Sequence, residues 1–223
     1  MTRQQPPRDP DMSMESMQDD TGLKRLLTFS LFYDALQAIA GARRAKTMLA
    51  ANFWKVEPGE RLVDVGCGTG DIADYLPAGV ELVGFDVNER YIDTARKRYG
   101  SRGRFLVGGA ADVYDDIGPG TVDIVTCNGV LHHLDEDRIA EVLELAVKVL
   151  KPDGRMFCVE PCFTPDQSRV SRWLMKQDRG QGIRDREGWS EVTRGFFPKT
   201  ELTIVSGLVR IPYVHVIIAG SFS

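Results

Sequence analysis

Apolar positions along the chain follow two alternating periods. Short runs rich in valine, leucine and isoleucine have the length and composition of strands buried on both faces, and apolar residues between them repeat at the three-to-four spacing of helices. This alternation predicts an α/β fold with a parallel sheet and helices on both faces. The predicted strands are residues 62–65, 80–85, 104–107, 122–126 and 155–160, with a closing pair at 201–205 and 214–219.

The helix with the clearest boundaries follows the fourth predicted strand. Asp135 is its expected N-cap, apolar residues from Ile139 to Leu150 repeat at helical spacing, and Pro152 ends it. Asn88 is the expected cap of an earlier helix. Further helices are predicted within residues 23–40, 45–53, 71–75, 168–177 and 187–194.

Length, charge and cysteine content exclude several classes of protein. A chain of 223 residues suffices for one sizeable α/β core, and its net charge of -4 argues against a general nucleic-acid-binding surface. Cys67, Cys127, Cys158 and Cys162 fall in or beside predicted buried strands without zinc-finger spacing, so free thiols are expected. The sequence shows neither a signal-like start nor a run of about 20 apolar residues, which favours a cytoplasmic protein.

The most informative motif is the turn after the first predicted strand. Gly66, Gly68 and Gly70 stand at every second position, which allows a tight bend and brings the backbone close to a ligand. A dinucleotide fingerprint needs Gly-x-Gly-x-x-Gly, and the carboxylate of Asp71 would repel a pyrophosphate. The Gly-Lys-Ser/Thr of a phosphate-binding P-loop is absent from the turn. The turn therefore favours an uncharged or cationic nucleoside.

The segment from Asp64 to Gly70 resembles the first motif of class I S-adenosylmethionine-dependent methyltransferases. The resemblance continues at Asp86, at residues 128–134 and at residues 150–154, and it covers roughly residues 57–161. It implies a Rossmann-like fold with a seven-stranded, mostly parallel sheet, an antiparallel last strand and an N-terminal helical cover. It also implies S-adenosylmethionine as cofactor and S-adenosylhomocysteine as product.

The domain organisation follows from this resemblance and from composition. Residues 1–20 contain prolines and acidic residues without an apolar period, which predicts a disordered leader. Residues 21–223 are interpreted as one methyltransferase domain. Within it we expect a helical cover at 21–56, a cofactor-binding core at 57–161, and substrate-side helices with closing strands at 162–223.

The resemblance assigns the cofactor to residues that follow the first two strands. The backbone of Gly66, Cys67, Gly68 and Gly70 would lie against it. Asp86, at the end of the second strand, would accept hydrogen bonds from both ribose hydroxyls, or it would only support the helix cap at Asn88.

Three further positions complete the expected cofactor contacts. Val87 would cover one face of the adenine. Asp64 needs a partner inside an apolar strand, and it would contact the methionine-like end of the cofactor or bond to nearby loop amides. Asn128 follows the fourth strand, beside the expected sulfonium.

The adenine edge departs from the family pattern. The family commonly has Gly-Asp-Ala after the third strand, with the acid on the adenine amino group, whereas this chain has Gly109 at the acid position. Either Asp112 reaches back to that group or backbone groups around Ala110 and Ala111 bind the adenine alone.

His132 and His133 are the candidate catalytic residues. An imidazole beside the reactive sulfonium can take the proton of an acceptor hydroxyl or amine near neutral pH. His133 is slightly favoured, and the alternative is that both rings are structural. Nothing in the sequence requires a metal.

Three residues are candidates for contacting the acceptor. Glu160 ends the fifth strand and could hold a substrate hydroxyl or amine, although loop bonding or helix capping explains it equally well. Tyr33 and Trp173 are candidate lid residues, while aromatic residues at helical spacing more often belong to the core.

The function that these features indicate is methyl transfer from S-adenosylmethionine to an oxygen or nitrogen of a small molecule, such as a natural product, a sugar or a lipid-linked intermediate. One alternative is methylation of a ring carbon in a quinone or polyketide. Another is a regulatory protein that binds the cofactor without methylating anything.

Overall fold

A central sheet organises the residues that the computed structural model describes, 41–178 and 182–223. Its strands follow the order β3-β2-β1-β4-β5-β8-β7, and the two-residue β6 pairs with the end of β5. The strands are β1 Arg61–Val65, β2 Glu81–Asp86, β3 Gly103–Val107, β4 Val122–Asn128, β5 Leu150–Phe163, β6 Arg184–Asp185, β7 Lys199–Ser206 and β8 Val214–Ser221.

The first five strands are parallel, and β8 runs antiparallel to both of its neighbours. Val63 of β1 is in register with Val83 of β2 on one side and with Val125 of β4 on the other. On β8, Ile217 pairs with Val159 of β5. Because parallel strands need crossover connections, helices cover both faces and the strands are apolar almost throughout.

Within the described residues every α-helix except α3 falls at a predicted place. The helix before β1 continues into a π-helical turn at Ala50–Trp54, and short 3-10 helices lie at Asp71–Tyr75 and Leu131–His133. The α-helices are α1 Ala42–Leu49, α2 Glu89–Tyr99, α3 Ala110–Ile117, α4 Glu136–Val149, α5 Arg169–Lys176 and α6 Arg186–Thr193.

Two hydrophobic clusters occupy the two faces of the sheet. On one face Val113 of α3, Leu143 of α4 and Trp189 of α6 pack against the strands. On the other face Trp54 of the π-helical turn and Ile92 of α2 pack against the strands. Each cluster buries its large side chains almost completely, and the hydrophobic effect of this burial fixes the helices on the sheet.

Side-chain caps explain several helix starts. Asn88 Oδ1 accepts a hydrogen bond from the backbone N–H of Arg90, and Asp135 Oδ1 accepts one from Arg138. Both caps were predicted. Ser168 caps α5 in the same way.

The predicted fold class is confirmed: the sheet is mostly parallel, its last strand is antiparallel, and helices lie on both faces. The sequence did not predict α3. Only α1 and the following turn of the predicted helical cover belong to the described residues. The leader at 1–20, the helices predicted within 23–40 and Tyr33 lie outside them.

Two smaller expectations have clear outcomes. Cys67, Cys127, Cys158 and Cys162 are all buried free thiols, as predicted. Among residues 41–178 and 182–223, the helices are too short or too polar to cross a lipid bilayer.

Candidate active site

The glycine turn lies at the carboxyl end of β1, and each of its glycines has a positive φ. A Cβ on Gly66 would come within 2.5 Å of Val130 Cγ2, and one on Gly70 within 2.8 Å of Phe105 Cε1. A Cβ on Gly68 would meet nothing within 4 Å, although its φ is +53°. Gly66 and Gly70 are therefore required by packing, whereas Gly68 leaves an open surface on which a ligand can approach the backbone.

Asp86 supports this turn from the end of β2. Its Oδ2 accepts a hydrogen bond from the backbone N–H of Gly68 at 3.0 Å, and its Oδ1 accepts one from Asn88 at 2.8 Å. An ionised carboxylate has about four acceptor sites, so each oxygen keeps capacity for a ribose hydroxyl. The two interpretations of Asp86, ligand contact and support of the helix start, are compatible in this geometry.

Asp64 is a buried carboxylate inside β1, with 5% of its surface exposed. Its Oδ1 accepts a 2.7 Å hydrogen bond from Thr126 Oγ1 on the neighbouring β4. Burial raises the pKa of Asp64 to about 6, although the Thr126 hydroxyl and the charge of Lys46 lower it. The carboxylate therefore carries its charge at neutral pH at an energetic cost, which a cationic ligand would offset.

Asn128 stands beside Asp64 at the end of β4. Its side chain hydrogen-bonds to Asp64 and helps to lower the pKa of that residue. Asn128 Oδ1 is buried and has no hydrogen-bond partner among the described residues. A buried acceptor without a donor is costly, so this atom marks a place where a ligand N–H would fit.

A lysine that the sequence did not single out also reaches this edge. Lys46 Nζ of α1 lies 2.6 Å from Asp71 Oδ2, and this ion pair is partly exposed. Its charge acts on Asp64 as well. The pair could not be inferred from sequence because the two residues lie 25 positions apart in different elements.

Two exposed valines border the space next to Asp86. Val87 is 76% exposed directly after β2, and Val107 is 43% exposed at the end of β3, in register with Asp86. Exposed apolar side chains on neighbouring strand ends suit the faces of a flat aromatic ring. Val87 was predicted for this role, and Val107 was missed.

Asp112 caps its own helix. Its Oδ2 accepts a 2.8 Å hydrogen bond from the backbone N–H of Gly109, at the start of α3. This contact favours the second of the two alternatives stated above, in which backbone groups around Ala110 and Ala111 bind the adenine.

Glu160 requires a correction. The residue is completely buried, and its two oxygens accept hydrogen bonds from the backbone N–H groups of Val130, Leu131 and His132. The ring nitrogen Nδ1 of His132 lies 2.6 Å from Oε2 as a fourth partner. Four donors saturate the carboxylate. Glu160 therefore holds the turn after β4 by loop bonding, and it presents no surface to a substrate.

His132 is enclosed by two carboxylates. Besides Glu160, Asp178 Oδ1 lies 3.8 Å from the other ring nitrogen, Nε2. Burial lowers the pKa of His132, but the carboxylates of Asp178 and Glu160 outweigh it and raise the pKa to about 9. Because both ring nitrogens face carboxylates, His132 is badly placed to take a proton from an acceptor, which corrects its assignment as a possible base.

His133 occupies the exposed side of the same turn. Its ring lies against that of His132, with centroids 3.9 Å apart and planes tilted by 40°. A third histidine, His215 on β8, lies close enough for the charge of His132 to act on it, and burial and that charge lower the pKa of His215 to about 4. The three histidines of the chain thus gather at one edge of the sheet, and His215 stays neutral.

The tryptophans divide between core and surface. Trp54 and Trp189 are fully buried, and Trp189 Nε1 donates to the carbonyl of Pro161. Trp173 is 57% exposed on α5. Of the two predicted lid residues, Trp173 is therefore accessible, while Tyr33 lies outside the described residues.

Comparisons with known proteins show which family this chain resembles. The family model described as a methyltransferase domain matches residues 62–154. A ubiquinone biosynthesis O-methyltransferase of Vibrio cholerae is 29% identical over 102 residues, which cover 44% of this chain and 41% of the relative. The chain thus matches less than half the length of this curated relative.

Solved structures share the fold at low sequence identity. A TehB-like S-adenosylmethionine-dependent methyltransferase of Corynebacterium glutamicum superimposes with a TM-score of 0.59 and 20% identity, over 87% of this chain and 96% of that one. Phosphoethanolamine N-methyltransferase 2 of Haemonchus contortus, solved with S-adenosylhomocysteine, superimposes with a TM-score of 0.62 and 16% sequence identity. The match covers 81% of this chain and 52% of that one. The family model thus agrees with a methyltransferase domain at residues 62–154, and the solved structures share the predicted class I methyltransferase fold.

Proposed function

We propose that the protein transfers a methyl group from S-adenosylmethionine to an oxygen or nitrogen of a small molecule. The observation that carries this proposal is the buried Oδ1 of Asn128, which has no hydrogen-bond partner within residues 41–178 and 182–223 and lies beside the Asp64 carboxylate. Two acceptors at one point suit an ammonium group, which has three donors and a positive charge. The amino end of the cofactor supplies such a group.

The remaining contacts fit the rest of the cofactor. Asp86 has acceptor capacity for the ribose hydroxyls, and Val87 and Val107 would enclose the adenine. The open side of Gly68 would lie against the nucleoside. When bound, the cofactor supplies an electrophilic methyl group on a sulfonium, and its product is S-adenosylhomocysteine.

We propose that the acceptor binds beside His133. We assign to this imidazole the proton that an acceptor hydroxyl or amine loses as its lone pair forms the bond to the methyl carbon. His133 suits the role because it is exposed, whereas both ring nitrogens of His132 face carboxylates. Trp173, exposed on the helix that ends near Asp178, is the proposed acceptor contact.

The relative from Vibrio cholerae favours oxygen among the possible acceptor atoms, since its name is that of an O-methyltransferase of ubiquinone biosynthesis. Carbon methylation of a quinone or polyketide ring is the second candidate. Cytoplasmic location stays a prediction from sequence.

Cofactor binding is tested by calorimetry on the full-length protein. Asp86→Ala should weaken binding of S-adenosylmethionine at least about tenfold, because it removes a charged acceptor. The matched control is Asp93→Ala, which removes an exposed carboxylate from α2. Equal affinity of both variants and the wild type would contradict the assignment of Asp86.

Methyl transfer is tested separately. Purified protein is incubated with the cofactor and a panel of phenols, catechols, amines and quinones, and products are searched for a mass gain of about 14 Da. Cofactor binding together with failure across this panel would favour the alternative of a binding protein without methyltransferase activity.

A further inference from the structure

Three possible metal ligands converge at the acceptor side of the site. His132 and His133 belong to the turn after β4, and Asp178 lies just after α5. One ligand atom of each residue lies within 4.8 Å of the others, and His132 Nε2 is 3.8 Å from Asp178 Oδ1. Two imidazoles and one carboxylate form a ligand set that transition metals use.

Two of these side chains are oriented by further hydrogen bonds. Glu160 Oε2 lies 2.6 Å from His132 Nδ1, and this contact holds the ring so that its other nitrogen, Nε2, faces Asp178. On the other side, the hydroxyl of Tyr213 donates a 2.7 Å hydrogen bond to Asp178 Oδ2, while Oδ1 faces the imidazole. Metal-binding histidines and carboxylates are typically held by such outer partners.

We propose that His132 Nε2, one ring nitrogen of His133 and Asp178 Oδ1 bind one divalent transition-metal ion. Bonds to such an ion are about 2.0–2.2 Å long, so the three groups would have to move together by several tenths of an ångström. The exposed position of His133 permits that movement. Zinc, cobalt, manganese and iron(II) suit this ligand set better than magnesium, which prefers oxygen ligands.

The site has a consequence for the reaction, and this consequence rests on the proposed methyl transfer. Three protein ligands would leave a coordination position for water or for an oxygen of the acceptor. An acceptor hydroxyl bound there would lose its proton to solvent more readily, because the cation stabilises the oxyanion. In that state His133 is a metal ligand and no longer the base.

A purely electrostatic role is the competing explanation. A charged His132 between Glu160 and Asp178 would account for the contacts of those two carboxylates without a metal. That explanation predicts no binding of a metal ion, whereas a metal site requires His133 as a ligand. Metal binding by the wild type and by variants of His133 therefore separates the two explanations.

The experiment uses full-length protein freed of metal with a chelator. Zn²⁺ and Co²⁺ are titrated by calorimetry, and Co²⁺ is also followed by its visible absorption, which reports coordination by imidazole and carboxylate. His133→Ala and Asp178→Asn should each weaken binding about 10- to 100-fold. Asp166→Asn, which alters an exposed carboxylate before α5, should bind like the wild type.

Binding of one ion per chain with loss in both variants supports the proposal. Absence of Zn²⁺ and Co²⁺ binding at about 100 µM, or unchanged binding in His133→Ala, overturns it. Because His133 is exposed, its variant tests the site even if Asp178→Asn does not fold. These readouts do not depend on catalysis, so a protein that binds metal but methylates nothing would refute the proposed function alone.

Discussion

Replacing Asp64 by Asn should make the cofactor-free protein more stable in a way that depends on pH. The carboxylate is ionised in the unfolded chain above its ordinary pKa of 3.8, whereas burial raises its pKa in the folded protein to about 6. A raised carboxyl pKa means that the folded state binds the proton more tightly. The free energy of unfolding therefore falls as the pH rises from 3.8, the pKa in the unfolded chain, to about 6, the pKa in the folded protein. It stays at the lower value at higher pH.

The size of this loss follows from the two pKa values. The difference corresponds to about 3 kcal/mol at pH 8 and to roughly half of that at pH 5, where most folded molecules still carry the proton. Asn cannot ionise, and its side-chain oxygen can keep the hydrogen bond from Thr126. Structural costs of the substitution do not depend on pH. The gain in stability should thus be larger at pH 8 than at pH 5 by an amount on the order of 1 kcal/mol.

Urea unfolding at the two pH values measures this difference. Trp54 and Trp189 are fully buried, so their fluorescence reports loss of the two cores. An effect of Asp64→Asn that is equal at both pH values, or smaller at pH 8, would refute the assignment of a strained carboxylate.

Asp123 provides the control. It accepts hydrogen bonds from the backbone N–H of Arg61 and from Lys151, which lower its pKa despite partial burial. A lowered pKa stabilises the folded state at all pH values above the unfolded pKa. Asp123→Asn should therefore destabilise the protein by similar amounts at pH 5 and pH 8.

The same Asp64 variant also tests whether the destabilising buried carboxylate serves to bind the cofactor. If the carboxylate is retained to bind the ammonium end of the cofactor, Asp64→Asn should weaken binding of S-adenosylmethionine at least about tenfold while it stabilises the free protein. Normal binding by the variant would show that Asp64 makes no such contact.

Two further substitutions test the turn and the loop beside it. Gly68→Ala should fold, at a cost of about 1 kcal/mol for its positive φ, but lose at least about tenfold in cofactor affinity; Gly59→Ala, also at positive φ in open space, should keep it. Normal cofactor binding by Gly68→Ala would mean that the ligand does not approach this backbone. Glu160→Gln should lower the free energy of unfolding by about 3 kcal/mol or more, because an amide NH₂ would face backbone donors in the interior. In the exposed ion pair with Lys148, Glu144→Gln should cost less than about 1 kcal/mol, and equal unfolding midpoints of these two variants would contradict the buried role of Glu160.

The geometry around the proposed cofactor site was predictable because it depends on residues that are close together in the sequence. Gly66, Gly68 and Gly70 follow one strand directly, and their spacing alone indicates a turn with positive φ angles. Asp86 lies at the end of the next strand, and parallel strands bring their carboxyl ends to one edge of the sheet. Strand periodicity and turn chemistry were therefore sufficient to predict where these residues lie, while their contact with the cofactor stays a prediction from the family resemblance.

The third crossover shows where periodicity is insufficient. Helix α3 buries Ala110, Val113 and Ile117, while acidic residues fill much of its remaining surface. Only these three apolar positions are buried, which gives a weak periodic signal over eight residues, and Gly108 and Gly109 indicate a loop just before the helix. The helix exists because it covers one face of the sheet, which is a tertiary effect.

The surroundings of the proposed methyl acceptor could not be predicted, because they depend on contacts between residues that are far apart in the sequence. Glu160 follows an apolar strand at the correct edge, so sequence supports a substrate contact as well as a structural one. Its saturation becomes visible only when the turn at 130–132 is placed against it. The surroundings of Asp178 are likewise invisible in the sequence, because its hydrogen-bond donor Tyr213 lies 35 residues away. Glycines shape the proposed cofactor site through the conformation of their own backbone, which the sequence indicates directly. The proposed site of the methyl acceptor consists of side chains instead, and the complete fold decides which of their lone pairs remain available to a ligand.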